Sequence, residues 1–271
     1  MTQFTGRPIA AAAALLTAAI SLAGCEGAEM EINGQKGVPL ADVVLTGAPP
    51  SEVVLASGDT VILTEGDSFT IKVEGGNTES LRFVRDERTI GITREEGWSG
   101  ETDAIIRITM PAPEEVVIAG AGTIKAPTLA SEAEVTIGGS GLVEFGTVAA
   151  EKLGINIGGS GTIRGAGTVK SLTINIGGSG EVELAGLKAD TAEVSIGGAG
   201  DVAFASDGEV TANIAGAGDV TVTGKAKCTV NEFGSGTLNC AEGTGATAAL
   251  PPAAPQAPTA PVAPVAAKPA E

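Results

Sequence analysis

The sequence lacks two of the side chains that most often carry chemistry in proteins. It contains no His and no Tyr, a single Trp, and only 3% aromatic residues among 271. Without His, the commonest general base and metal ligand is missing, and so few rings make a stacking platform hard to build. Basic residues are scarce as well, with 16 Lys and Arg against 33 Asp and Glu, a net charge of −17. This surplus repels nucleic-acid phosphates, so we expect no nucleic-acid partner.

Residues 1–24 have the pattern of an export signal. A charge-free apolar stretch over residues 8–24 is too short and too rich in Ala to span a membrane. It ends in Leu-Ala-Gly-Cys, which resembles the bacterial lipobox, and the resemblance implies cleavage before Cys25 and lipidation of Cys25. We therefore predict a lipoprotein signal peptide, a linker over 25–40 and a lipid anchor in the bacterial envelope. In lipoproteins of this kind, Asp directly after the Cys signals retention in the inner membrane. The outer membrane is favoured here because Glu26 occupies that position. Ordinary secretory cleavage near the same place is the alternative.

The other end of the chain has the composition of a spacer. Residues 241–271 hold 12 Ala and 7 Pro in 31 positions. Such a segment cannot bury a hydrophobic core and favours an extended, polyproline-like chain. We predict a disordered Ala/Pro-rich tail that serves as a flexible spacer, with contact to the cell wall as the alternative.

Between these ends, a Gly-x-Gly triplet recurs seven times at spacings of 18 to 20 residues. A repeat this short cannot hold two packed helices, but it fits one coil of a β-solenoid. We expect each triplet to form a corner, because Gly allows positive φ and a close approach of neighbouring backbones. The predicted corner glycines are Gly120, Gly122, Gly139, Gly141, Gly159, Gly161, Gly178, Gly180, Gly198, Gly200, Gly216, Gly218, Gly234 and Gly236.

The residues around each triplet alternate between apolar and polar side chains. Ile stands two positions before the first Gly in six of the seven repeats, with Glu232 as the exception. A period of two indicates strands with one buried face, and stacked coils would bury one continuous aliphatic column. We predict an all-β fold with a β-solenoid domain over 41–240 and 18–20 residues per coil. The coils are expected to be regular over 116–240 and irregular over 41–115, where they cap the stack.

These features resemble a known bacterial family. The resemblance rests on the stretch SGDTVILTEGDSFTIKVEG, the entry MPAPEEVVIAGAG, the Gly-Ser-Gly repeats and the tripeptide Gly154-Ile155-Asn156. They are similar to the family named "Putative auto-transporter adhesin, head GIN domain" (DUF2807), over residues 40–240. The resemblance implies a single-stranded, right-handed parallel β-helix on a secreted or surface-displayed bacterial protein. It brings no agreed catalytic residues with it.

Two of the three cysteines are predicted to pair. Cys25 is explained by the lipid anchor, whereas Cys228 and Cys240 fall in apolar columns on opposite limbs of the last coil. In an exported protein this placement indicates a disulfide that closes the end of the stack and contributes roughly 2–4 kcal/mol. Two free buried thiols are the alternative. We expect no metal site, because no His and no second Cys pair stands nearby.

Three glycine or acidic patterns partly resemble functional motifs. The Gly-x-Gly loops lack the third Gly and the following helix of a dinucleotide site. The nearest match to a calcium-binding nonapeptide places Asp201 one position too early. Asp201 and Asp219 share one column on successive coils, where a solvated face is expected and acid–base chemistry is the alternative. We therefore predict no cofactor and no catalytic residues.

The only basic concentration comprises Arg82, Arg85, Arg88 and Arg94, which are interleaved with acidic residues. A salt-bridged strand face is expected, and a site for anionic glycans is the alternative. Trp98 is expected to pack in the cap of the domain rather than to stack on a sugar.

Together these patterns predict a non-enzymatic, lipid-anchored envelope protein that acts as an adhesin or surface-interaction module. Its partners would be the membrane, through Cys25, and a glycan or protein of the envelope or of a host surface. The sequence also allows a homo-oligomer that forms along one face of the solenoid. A periplasmic structural or accessory module is the alternative, and a polysaccharide-active β-helix enzyme is a more distant one.

Overall fold

The computed structural model describes residues 31–240, which include a parallel β-solenoid of about 7 turns. In this range there is no α-helix, and two single turns of 3-10 helix lie at Leu40–Asp42 and Thr78–Ser80. The predicted all-β solenoid is confirmed. None of the helical turns in the described part of the chain could cross a membrane. The predicted signal peptide, Cys25 and the tail lie outside the described residues and stay predictions.

Sixteen strands make up the fold. They are β1 (Glu52–Leu55), β2 (Thr60–Glu65), β3 (Thr70–Gly75), β4 (Leu81–Arg85), β5 (Thr89–Arg94), β6 (Ala104–Met110), β7 (Glu115–Ile118), β8 (Thr123–Ala126), β9 (Glu132–Ile137), β10 (Leu142–Ile157), β11 (Thr162–Ile176), β12 (Glu181–Ile196), β13 (Asp201–Ile214), β14 (Asp219–Thr223), β15 (Lys227–Glu232) and β16 (Thr237–Cys240).

The strands stack in two parallel rows that meet at the glycine corners. One row runs β5, β1, β7, β9, then the C-terminal halves of β10 to β13, then β15. The other runs β6, β2, β8, then the N-terminal halves of β10 to β13, then β14 and β16. Strands β10 to β13 pass from the second row to the first, and a register shift between Glu144 and Thr147 marks the bend in β10.

The predicted isoleucine column is stacked in register. Ile137 pairs with Ile157, Ile157 with Ile176, and Ile176 with Ile196. All four side chains are at most 2% exposed, and burial of one such side chain stabilises a fold by roughly 1.5–3 kcal/mol. Each coil therefore depends on its neighbours for most of its stability.

The N-terminal coils do not follow the chain order that a simple spiral would give. The coil formed by β5 and β6 lies outside the earlier coil formed by β1 and β2, and β7 returns to the far side of β1. Strands β3 and β4 pair antiparallel with β6 and β5 and cover the end of the stack. These antiparallel strands cover the edges that β5 and β6 would otherwise leave open.

A buried ion pair fixes this interleaved arrangement. The Arg94 guanidinium, at the end of β5, donates to both carboxylate oxygens of Asp59 in the corner between β1 and β2. The same carboxylate accepts hydrogen bonds from Ser57 Oγ and from the backbone N–H of Ala104, where β6 begins. Because every oxygen is satisfied, the burial of these charges is compensated.

The described part of the linker predicted for residues 25–40 packs against the β-solenoid domain. Ile32 is only 3% exposed and packs with Val54, Val84 and Val117. Its side chain occupies the space above Gly91, where a Cβ would lie 2.6 Å from Ile32 Cδ1. The apolar contact with the sheet outweighs the loop-like composition around Ile32.

A disulfide, and not a pair of antiparallel strands, lies at the C-terminal end of the stack. Cys228 and Cys240 form a disulfide that joins β15 to β16, the two edge strands. Glu232 takes the place of Ile in the isoleucine column and is exposed. A charge in an inward column of an edge strand discourages pairing with another chain.

Candidate functional site

The corner glycines are required by close backbone approach. A Cβ on Gly159 would lie 3.0 Å from the carbonyl carbon of Gly139 and closer still to its oxygen, and the later corners repeat this contact. Positive φ occurs only at Gly216 and Gly234 among the corner glycines. Positive φ and close approach are both expected from the sequence, whereas the structure assigns the requirement mainly to close approach.

The second glycine of each triplet faces the isoleucine column. A Cβ on Gly161 would lie 2.5 Å from Ile137 Cγ2, and one on Gly180 would lie 2.5 Å from Ile157 Cγ2. A side chain here would collide with the isoleucine of the preceding coil. The two glycine positions thus have separate structural roles, one against backbone and one against the core.

Small residues also stand one position before the first glycine of most triplets, and the sequence alone predicts no role for them. This row comprises Gly138, Gly158, Gly177, Gly197 and Ala215. A Cβ at the four glycines would point to open space or meet one carbonyl oxygen no nearer than 3.8 Å. Packing therefore does not require glycine at these positions. The small residues leave a low strip along the outer surface, and we call this strip, formed by Gly138, Gly158, Gly177, Gly197 and Ala215, the trough.

One wall of the trough is a ladder of amide side chains on the outer face of the strands. Asn175 Nδ2 donates to Asn156 Oδ1 at 3.0 Å, and Asn231 Nδ2 donates to Asn213 Oδ1 at 2.9 Å. Ser195 stands between these pairs in the same register. We call this column the amide ladder; it consists of Asn156, Asn175, Ser195, Asn213 and Asn231. A coil spacing of about 4.8 Å sets the distance between its rungs.

The trough ends at an aromatic side chain. Phe233 follows the glycine row into the last coil and is 80% exposed, the most of any large apolar side chain in residues 31–240. It closes a shallow depression of about 380 Å³ that is lined by residues 175–177, 195–197 and 213–215. No charged side chain lines this depression, although the whole chain carries a net charge of −17.

The aspartates of the shared column have a structural task. Asp201 Oδ1 accepts a hydrogen bond from the backbone N–H of Asp219 at 3.1 Å, and Asp219 Oδ1 accepts one from the N–H of Thr237 at 3.1 Å. Each carboxylate thus caps the corner of the next coil. The exposed face expected from the sequence is present, and its aspartates also tie consecutive coils together.

The arginines are held by acids and carbonyls. Arg82 pairs with Glu95 at 3.0 Å, Arg88 with Glu114 at 3.5 Å, and Arg94 with Asp59. These pairs support the salt-bridged strand face and leave the anionic-glycan alternative without a cluster of uncommitted charges.

Trp98 packs in the cap, as expected. The Arg94 guanidinium lies 5.5 Å from the centre of its ring, and a Cβ on Gly100 would lie 2.9 Å from Cε2 of the same ring. The Arg94 guanidinium thus lies over the indole and the backbone of Gly100 lies beside it, while Nε1 of Trp98 is buried. Arg85, the fourth arginine, lies 5.1 Å from the ring centre of Phe69.

Three glutamates are stacked near the N-terminal end. Glu52, Glu115 and Glu134 pair in register on successive strands. Glu52 is buried and accepts a hydrogen bond from Thr89 Oγ1, while its Oε1 has no partner. Burial, followed by the negative charges of Glu52 and Glu134, raises the pKa of Glu115 to about 7. Across residues 31–240, no group of Cys, Asp and Glu is arranged to hold a metal ion.

One known protein family matches most of the described domain. The sequence profile described as "Putative auto-transporter adhesin, head GIN domain" matches residues 49–226. The chain belongs to this family. The head GIN match covers the interleaved coils and most of the regular ones, and no curated protein sequence is similar enough to match the chain.

Solved structures share the fold of this head GIN domain. A "putative adhesin" from Bacteroides fragilis superposes with a TM-score of 0.62 at 16% identity, over 71% of this chain and 93% of that one. A "Putative lipid binding protein" from Parabacteroides distasonis gives 0.56 at 20% identity, over 72% and 94%. A "putative adhesin" from the same species gives 0.55 at 19%, over 72% and 94%. At these identities the similarity establishes the fold alone.

Proposed function

We propose that this head GIN protein is a non-enzymatic, lipid-anchored surface-interaction module of a bacterial envelope, which binds its partner along the trough. The observation that carries the proposal is the uncharged strip between the amide ladder and the corners, closed by Phe233. Family membership among proteins named as adhesins supports it.

The geometry of the trough suits recognition of an extended, uncharged partner. Primary amides both donate and accept hydrogen bonds, and the ladder presents them as two pairs on a rigid stack, with the Ser195 hydroxyl on the coil between the pairs. The glycine floor lets a partner approach the backbone closely, and Phe233 adds apolar area. A glycan or a protein segment of the envelope or of a host surface has the required chemistry.

The anchor places this surface in the envelope. Lipidation of Cys25 would hold the protein at the membrane, and residues 26–51 would separate the anchor from β1. Replacing Cys25 by Ser should abolish incorporation of labelled fatty acid, because the lipid would be attached to this cysteine. Unchanged fatty-acid labelling of the variant would contradict a lipid anchor on Cys25.

Two measurements test the binding role. Protease added to intact cells should remove the domain if it is displayed, whereas protection supports the alternative of a periplasmic accessory module. Beads coated with the protein should bind immobilised envelope extracts, and Asn175→Asp should weaken that binding because it places a charge in the trough. Asn239→Asp is the matched control, because Asn239 is exposed on the other limb of the last coil. Equal binding by the two variants would refute the trough as the binding surface.

A further inference from the structure

The prolines of the tail follow a strict period. Pro252, Pro255, Pro258, Pro261 and Pro264 occur at every third residue. A polyproline II helix has three residues per turn, so these prolines would lie in one row along one side of such a helix. The row has no charged residue between its first and last proline. We propose that residues 252–264 dock in the trough of their own chain as a polyproline II helix.

The repeat lengths of the two surfaces match. One turn of polyproline II advances about 9.3 Å, from three residues at 3.1 Å each. Two coils of the solenoid advance about 9.6 Å, from a strand spacing of about 4.8 Å. A proline on every turn would therefore meet the same feature of the trough on every second coil. The depression from residue 175 to Phe233 covers four successive coils, which is room for two prolines.

The trough offers the contacts that such a helix needs. Carbonyl groups of polyproline II make no internal hydrogen bonds, and each Asn side-chain amide has two protons to donate. Asn175 uses one of them on Asn156, so the second can reach a docked carbonyl. Proline-rich segments are recognised by grooves lined with aromatic rings, and the exposed ring of Phe233 is placed to pack on a proline.

Charge and chain length favour this occupant. The depression and residues 252–264 are both uncharged, so docking avoids the repulsion that acidic segments would meet on this protein. The eleven residues from 241 to 251 connect the last described residue to the first proline of the row. Extended, they reach at most roughly 36–40 Å, which is ample for a return across one corner.

Docking is tested with a spin label on the full chain. In a Cys25→Ser chain, Thr259→Cys provides one free thiol, because Cys228 and Cys240 are joined in a disulfide. A nitroxide at position 259 should broaden the side-chain amide signals of Asn175 and Asn213 in the NMR spectrum, and reducing the nitroxide should restore them. Signals that stay sharp would overturn the proposal.

Mixing isotopically labelled chains with unlabelled, nitroxide-bearing chains separates docking within a chain from docking between chains. Broadening in this mixture would show that a second copy is the occupant, contrary to the proposal. Phe233→Ser should abolish the broadening in the single-chain experiment. Val44→Ser removes another exposed side chain, 67% exposed and outside the trough, and should leave it unchanged. Broadening that survives Phe233→Ser would contradict the role given to the aromatic ring.

Docking of the tail does not depend on the proposed function, but its expected effect on binding of an external partner does. If the trough binds an external partner, that partner must displace the tail, and deleting residues 252–264 should strengthen binding of the coated beads to envelope extracts. Broadening by the nitroxide together with no bead binding by either chain would refute the proposed function and support docking. Stronger binding by the shortened chain without broadening would refute docking and support the function.

Discussion

Substituting neighbouring glycines of one corner gives a sharp test of why the repeat contains glycine. In Gly159→Ala, the new Cβ would lie well under 3.0 Å from the carbonyl oxygen of Gly139. That oxygen also accepts the backbone N–H of Ser160 at 3.0 Å. In Gly158→Ala, the new Cβ meets nothing within 4 Å. The two variants add the same methyl group to adjacent residues, and only one of them has room for it.

The expected cost follows from these contacts. Relief of the Gly159→Ala clash needs a backbone shift of about 1 Å, which strains the packed coil by roughly 1–3 kcal/mol. The shift also breaks a hydrogen bond, and a buried group left without its partner costs roughly 1–3 kcal/mol. We expect a total loss of about 2–6 kcal/mol from the sum of these two effects. Gly158→Ala should instead change stability by less than about 1 kcal/mol.

Urea unfolding followed by far-UV circular dichroism measures both variants against the unaltered protein. A shift of the midpoint without a change in slope reports a change in stability. If Gly159→Ala unfolds at the same urea concentration as the unaltered protein, or if Gly158→Ala is equally damaging, close approach at the corner is refuted. The corner would then owe its glycines to some other requirement.

Two further predictions concern the ends of the stack. Because the pKa of Glu115 is raised to about 7 from 4.5, the fold should be most stable below pH 4.5 with respect to this group and lose stability as the pH rises to about 7. The shift corresponds to about 3 kcal/mol before screening of a half-exposed group, so we expect a loss of about 1 kcal/mol. Urea midpoints across this range should flatten in Glu115→Gln, and an unchanged pH slope would contradict the assignment. Cys228→Ser combined with Cys240→Ser should lower stability by roughly 2–4 kcal/mol, and a thermal midpoint equal to that of the disulfide-bonded protein would show that the last coil needs no closure.

The regular coils could be predicted because their signal is local and repeated. Alternating positions around each triplet state which side chains face inward, and the isoleucine column follows from that pattern alone. The interleaving of β5 and β6 outside β1 and β2 could not be predicted in this way. Which parallel strands become neighbours depends on long-range pairing, and the strand SFTIKV before the turn looks the same whether it pairs parallel or antiparallel.

The candidate site was only partly visible in the sequence. The asparagines of the amide ladder occupy polar positions of the alternating pattern, but the row that includes Gly158 and Gly177 gives no signal separate from that of the triplets beside it. The exposure of Phe233 is also not evident from the sequence, since an aromatic residue after an alternating strand usually indicates core. Its exposure follows from its position in the row of small residues, whose side chains point outward.

The register of the coils is the claim on which the trough, the ladder and the tail-docking proposal all depend. Asn156 and Asn175 are paired on adjacent coils, whereas Asn156 and Ser195 are two coils apart, about 9.6 Å at a spacing of about 4.8 Å. In oxidised protein, Asn156→Cys with Asn175→Cys should form a second disulfide, detected by mass spectrometry after digestion. Asn156→Cys with Ser195→Cys should stay reduced, because a disulfide cannot bridge Cα atoms more than about 7 Å apart. The opposite result, a bridge in the second pair and none in the first, would contradict the stacked solenoid.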